Sequence, residues 1–206
     1  MGVRLVAVTK SVPVERVRAA IEAGVSILGE NRLQEAIPKM DAIGAREGLA
    51  WHFIGRLQRR KVRSVVGRFE MIHSVESVEL ASEIDRRAGE AGVCQPVLLE
   101  VNLGGEPTKA GFSPDVMADS VVALDRMSNL AVKGLMTIPP LTGEVESRRL
   151  FFSRLRELAE RLARMGLPRV RMDELSMGMS QDFEIAVEEG ATLVRVGTAI
   201  FGPRPA

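Results

Sequence analysis

The feature that most constrains this chain is an end-to-end alternation of short apolar runs with longer amphipathic stretches. The runs cover residues 3–9, 25–28, 50–54, 69–73, 97–103, 131–138, 171–175 and 192–196. They are rich in Val, Leu and Ile, and several are apolar on both faces, as parallel strands covered by helices on one side and a packed interior on the other must be. Between them, apolar residues recur at three-to-four spacing. Val14, Val17 and Ile21 follow Pro13 and stop at Gly24, and residues 77–91 carry Val78, Ala81, Ile84 and Ala88 on one stripe. Further helices are expected over 30–40, after Leu57, over 114–127 with Ser113 as N-cap, and over 181–189. The longest, over 144–165, places Phe151, Leu155, Leu158 and Leu162 on one face.

Eight strands alternating with seven helices, with no low-complexity linker, predict one α/β domain spanning residues 1–206. A TIM-like (β/α)8 barrel is favoured over a doubly wound open sheet because the count reaches eight. An open sheet that binds a dinucleotide would carry GxGxxG after its first strand, whereas that turn reads Thr9-Lys10-Ser11-Val12-Pro13. A lone cysteine, Cys94, excludes a disulfide framework and a multi-cysteine zinc site. The net charge of +1 and the absence of tyrosine argue against nucleic acid as partner. No apolar stretch is long enough to span a bilayer, and the opening lacks a secretory pattern, so no membrane partner and a cytoplasmic location are expected.

In a barrel, side chains at the carboxyl ends of the strands converge on one mouth. Reading those positions gives Lys10, Glu30 with Asn31, His52 or Gly55, His73 with Ser74, Asn102, Met136 with Thr137, Ser176 and Arg195. Lys10 stands out because only five of the 28 basic residues are lysines. A partly desolvated strand-end amine loses its proton more easily and attacks aldehydes, which a guanidinium does not. A lysine that snorkels to solvent from the strand end is the competing reading. Ser176-Met177-Gly178-Met179-Ser180 is placed after the seventh strand, and Gly197-Thr198 ends the eighth. Hydroxyls and glycine-exposed N–H groups in those two loops suit a phosphate, although glycines after strands also serve as ordinary turns. Lysine and nest together suit a phosphorylated aldehyde, either a sugar phosphate or pyridoxal 5'-phosphate (PLP).

Ala7-Val8-Thr9-Lys10, Gly29-Glu30-Asn31, Trp51-His52-Phe53-Ile54-Gly55, Ser176-Met177-Gly178-Met179-Ser180 and Arg195-Val196-Gly197-Thr198 resemble, in order, the motifs of the pyridoxal phosphate homeostasis proteins. These are single-domain relatives of the alanine racemase barrel, and the similarity covers nearly the whole chain. The resemblance implies PLP held as a Schiff base on Lys10, with Ser176, Gly178, Gly197 and Thr198 around the phosphate. It places Asn31 near the cofactor ring and Arg195 facing the pyridine nitrogen. A permanently charged guanidinium there disfavours protonating that nitrogen and weakens PLP as an electron sink. The implied role is to bind and buffer PLP without robust catalysis, as a monomer, with PLP-dependent apoenzymes as acceptors.

Three departures from the family accompany the resemblance. Family members usually carry an additional helix before the first strand, and here the first strand begins at once; either one barrel helix is absent, leaving one end of the barrel more exposed, or the true start lies upstream. Arg60 stands where Asn is expected, and no tyrosine is present to serve as a second racemase base. A weak amino-acid racemase using Lys10 is the alternative function. An RNA-binding patch of Arg56, Arg59, Arg60, Lys61 and Arg63 is the third, against which a solvated face is the simpler account. His52 and His73 are read as hydrogen-bonded core residues with no third ligand for a metal. Lys109 is read as part of a surface loop, with a pocket lid as the alternative, and Cys94 as a small buried or semi-buried residue.

Overall fold

The computed structural model of the chain describes residues 2–106, 109–140 and 144–203. Eight parallel strands close into a barrel in chain order: β1 (Arg4–Val8), β2 (Ile27–Glu30), β3 (Ala50–Phe53), β4 (Met71–Val75), β5 (Gln95–Glu100), β6 (Leu130–Met136), β7 (Val170–Met179) and β8 (Leu193–Val196). Closure is made by β1 against β8, where Val6 aligns with Arg195 and Ala7 with Val196. The crossovers carry α1 (Val14–Glu22), α2 (Leu33–Ile43), α3 (Val78–Ala91), α4 (Met117–Asp125), α5 (Arg149–Ala163) and α6 (Phe183–Glu188), and α7 (Thr198–Phe201) follows β8. This is the expected (β/α)8 architecture.

Side chains alternate between two apolar layers along the strands, as the two-residue period requires. Val6, Ile27, Met71, Leu98, Met136 and Leu193 form a small cluster, while a much larger one joins the outer sheet face to the helices. The α3 stripe is Leu80, Ala81, Ile84 and Ala88, capped by Ser77 and terminated by left-handed Gly92. In α5 the buried aromatic is Phe152 rather than Phe151, with Leu155, Leu158 and Leu162 as expected. Gly134 shows how closely β6 and β7 approach, since a Cβ on it would lie 1.8 Å from the Glu174 carbonyl oxygen.

Several expectations need correction. The stretch after Leu57 forms only a short 3-10 helix, Arg59–Ser64, because Val62 and Val65 need no more than one turn to bury. β2 lies two residues further on than expected, so Glu30 ends a strand instead of starting a helix. β7 is ten residues long and runs to Met179, so Ser176 and Gly178 belong to the strand and not to the loop after it. Cys94 is exposed, because it precedes β5 and the buried side chain at that strand's start is Gln95. At the start of β1, Val3 and Leu5 are exposed.

Candidate functional site

Lys10 emerges from β1 into a cavity of about 480 Å³ at the carboxyl ends of the strands. A cavity of this size suits a small organic ligand. The residue before Lys10, Thr9, is anchored from both sides. The Thr9 N–H donates to the Gly29 carbonyl at 3.0 Å, and the Thr9 carbonyl accepts from the buried Lys39 ammonium. Ser11 follows with φ of +59°, the one non-glycine residue in the left-handed region among the described residues, and its N–H donates to Glu35 at 2.7 Å. A polar residue held in that conformation beside the key lysine is strain sustained by its surroundings.

Pairing of β1 with β8 brings the far end of the chain to the same wall. Gly197 packs against Val8, and Gly197, Thr198 and Ser180 line the cavity that Lys10 enters. The Ser180 hydroxyl accepts the N–H of Gly197 at 3.2 Å and of Ala199 at 3.3 Å. One serine therefore joins the turn after β7 to the turn after β8. Asp182 fixes the first of these turns: its carboxylate takes the Met179 N–H at 2.6 Å and pairs with buried Arg148 at 2.8 Å.

Of the residues expected at the site, Lys10, Asn31, Arg195, Gly197 and Thr198 line one cavity. Two do not. Ser176 is fully buried, hydrogen-bonded to Arg195 and His73, so the phosphate contact expected of its hydroxyl does not match its position. Gly178 is buried at φ +88°, and a Cβ there would meet Ala186 at 2.5 Å; its role is to let β7 pack on α6. The hydroxyl placed at the cavity wall is Ser180, four residues later.

Arg195 lies on the cavity floor, 5% exposed. Its guanidinium donates to the Ser176 hydroxyl at 2.6 Å, the Ser176 carbonyl at 2.7 Å and the Thr137 carbonyl at 2.9 Å. Burial brings its pKa down to about 10, opposed by Glu100 and Asp182, so it stays charged at neutral pH. Glu100, which the sequence reading missed, also lines the cavity; burial and then Glu76 push its pKa up, against Arg195 and Arg56. It ends β5, and its position at a strand end was the available signal.

Asn31 supplies an unsatisfied group. Its Oδ1 is buried at the cavity wall without a hydrogen-bond partner among the described residues. Such an atom is destabilising unless a bound polar group uses it. Gly55 lies so close to the Asn31 backbone that a Cβ would come within 2.3 Å of its carbonyl oxygen, which sets the asparagine's place.

His52 and His73 are buried core residues, as expected, 2.9 Å apart nitrogen to nitrogen. No group of three or more His, Cys, Asp or Glu residues that could hold a metal occurs among the described residues, and no helix there is long and apolar enough to cross a membrane. Lys109 pairs with Glu106 at 2.8 Å, and Asn102 ties the carbonyls of both residues to the end of β5; Pro107 and Thr108 lie outside the described residues. In the basic segment, Arg56 pairs with Glu76 at 3.3 Å and Arg60 bonds Gln58.

Residues 1–205 match the family described as alanine racemase, N-terminal domain. The chain is 45% identical over 201 residues to the pyridoxal phosphate homeostasis protein of Aquifex aeolicus (98% of this chain, 87% of the relative). It is 40% identical over 203 residues to that of Synechocystis (98% and 92%). Among solved structures, PipY of Synechococcus elongatus with PLP bound superposes with a TM-score of 0.90 at 41% identity, covering 97% of this chain and 92% of PipY. An alanine racemase of Clostridium difficile shares the fold with a TM-score of 0.80 at 18% identity, covering 99% of this chain and 53% of the racemase. With its closed barrel and full-length similarity, this chain belongs to the alanine racemase N-terminal domain family and, within it, to the pyridoxal phosphate homeostasis proteins.

Proposed function

We propose that this protein binds PLP reversibly as a Schiff base on Lys10 and buffers it for PLP-dependent apoenzymes, without robust turnover. The observation that carries the reading is the meeting of Lys10 and the Ser180–Gly197–Thr198 corner in one cavity, although they lie at opposite ends of the sequence. Similarity to PipY, a relative whose structure holds PLP, supports it.

The residues present fit that cofactor. Lys10 Nζ would condense with the aldehyde, forming a C=N bond with loss of one water. Gly197, Thr198 and Ser180 would hold the phosphate through N–H and hydroxyl groups. Asn31 Oδ1 would gain its missing partner beside the ring. Bound PLP supplies electron withdrawal, and the chain's own groups limit how far that goes. Arg195 is buried and charged, so a neighbouring ring nitrogen is disfavoured from taking a proton. The chain has no tyrosine, so the second acid/base of a two-base racemase has no such candidate.

The test is to incubate purified protein with PLP and record the near-ultraviolet and visible absorption, then repeat with Lys10→Ala. A lysine-bound band in the native protein, lost in the variant, is expected. No band in the native protein would refute the proposal.

A further inference from the structure

The interior of a (β/α)8 barrel is usually filled by branched apolar side chains. Here four polar side chains from four strands form a continuous column. His52 Nδ1 on β3 lies 2.9 Å from His73 Nε2 on β4; His73 Nδ1 lies 2.9 Å from the Ser176 hydroxyl on β7; and that hydroxyl receives an N–H from Arg195 on β8 at 2.6 Å. His52, His73 and Ser176 are at most 1% exposed, and the column ends in Arg195 at the cavity floor.

Hydrogen bookkeeping gives the column a direction. Arg195 occupies one lone pair of the Ser176 oxygen, and the serine's own hydrogen is assigned to its other neighbour, His73 Nδ1. The His73 ring hydrogen then sits on Nε2 and points to His52 Nδ1, and that of His52 sits on its own Nε2. This last atom is buried without a partner among the described residues. The orientation is assigned from the network. Every link presents its acceptor toward Arg195, so the aligned dipoles favour the buried guanidinium.

The imidazoles must be neutral for this. Burial and then Arg4 lower the pKa of His52 to about 4; burial, His52, Arg195 and Arg4 lower that of His73. On its other sides Arg195 faces Glu100 and Asp182. Arg4 is itself paired with Glu174.

We propose that His73, backed by His52, is a positioning residue for Arg195: acting through Ser176, it fixes the guanidinium at the cavity floor, facing the cofactor ring. This rests on the PLP reading above. Neither histidine lines the cavity, so the effect is transmitted through the column.

The experiment is a pH titration of the absorption band of PLP-loaded protein, comparing native protein with His73→Leu and His73→Asn. Leucine has no acceptor, whereas the asparagine amide can offer one near the position of Nδ1. The expected result is a midpoint raised by about one unit or more in His73→Leu, as a loosened guanidinium ceases to oppose protonation, and restored in His73→Asn. A folded His73→Leu with an unchanged midpoint would overturn the proposal. If His73→Leu does not fold, Ser176→Ala cuts the same column, with the same expected and overturning results. If the native protein shows no band, the PLP reading itself fails; a native band with an unmoved midpoint in the variant sinks only the positioning role.

Discussion

The Lys39 ammonium lies 2.6 Å from the Glu30 carboxylate, and both side chains are shut away from water between α2 and the sheet. The same ammonium donates to the Thr9 carbonyl, and Thr9 Oγ1 donates to Glu30 at 2.7 Å. The residue before Lys10 is thus held by a buried ion pair that never touches the cavity.

Lys39→Met should therefore destabilise the fold by about 3–5 kcal/mol, because it strands the Glu30 charge in the interior. Urea denaturation measures this. Adding Glu30→Gln to Lys39→Met should recover much of the loss, since no uncompensated charge remains. Equal destabilisation in single and double variants would refute the ion-pair account.

A second prediction concerns pH. Both histidines have folded pKa values below the ordinary 6.5, with His52 near 4. Between 4 and 6.5 the unfolded chain binds more protons, so stability rises with pH across that window and is lost as pH falls through it. For His52 alone the loss approaches roughly 3 kcal/mol. Denaturation midpoints from pH 7 to 4.5 should fall steeply in the native protein and less so in His52→Phe. Parallel curves would contradict this.

Ser180 and Ser176 should differ in kind. Ser180→Ala removes the acceptor shared by Gly197 and Ala199, and should weaken PLP retention about tenfold and blunt competition by inorganic phosphate. Ser176→Ala should leave phosphate competition intact and move the pH midpoint of the bound chromophore instead. Dialysis of loaded protein against graded phosphate separates the two.

Lys10 and Arg195 were legible in the sequence because each sits at or near the end of an apolar run, and a parallel barrel brings such ends together. The end of β7 was not. Serine and glycine in Ser176-Met177-Gly178 read as a loop after the expected strand 171–175, whereas β7 continues to Met179 and the loop hydroxyl is that of Ser180. Local periodicity also misses pairing across elements. Lys39 reads as a solvated helix residue until Glu30 is brought against it. The dihistidine column likewise depends on barrel closure, which sets His52, His73 and Ser176 at one depth; burial was expected for the two histidines and not for Ser176.

The central claim is most directly tested by borohydride reduction of protein incubated with PLP, followed by proteolysis and mass spectrometry. The account predicts a phosphopyridoxyl adduct on Lys10, in stoichiometric amount and absent from Lys39 and Lys109. An unmodified Lys10, or an adduct spread over other lysines with Lys10 spared, would contradict it.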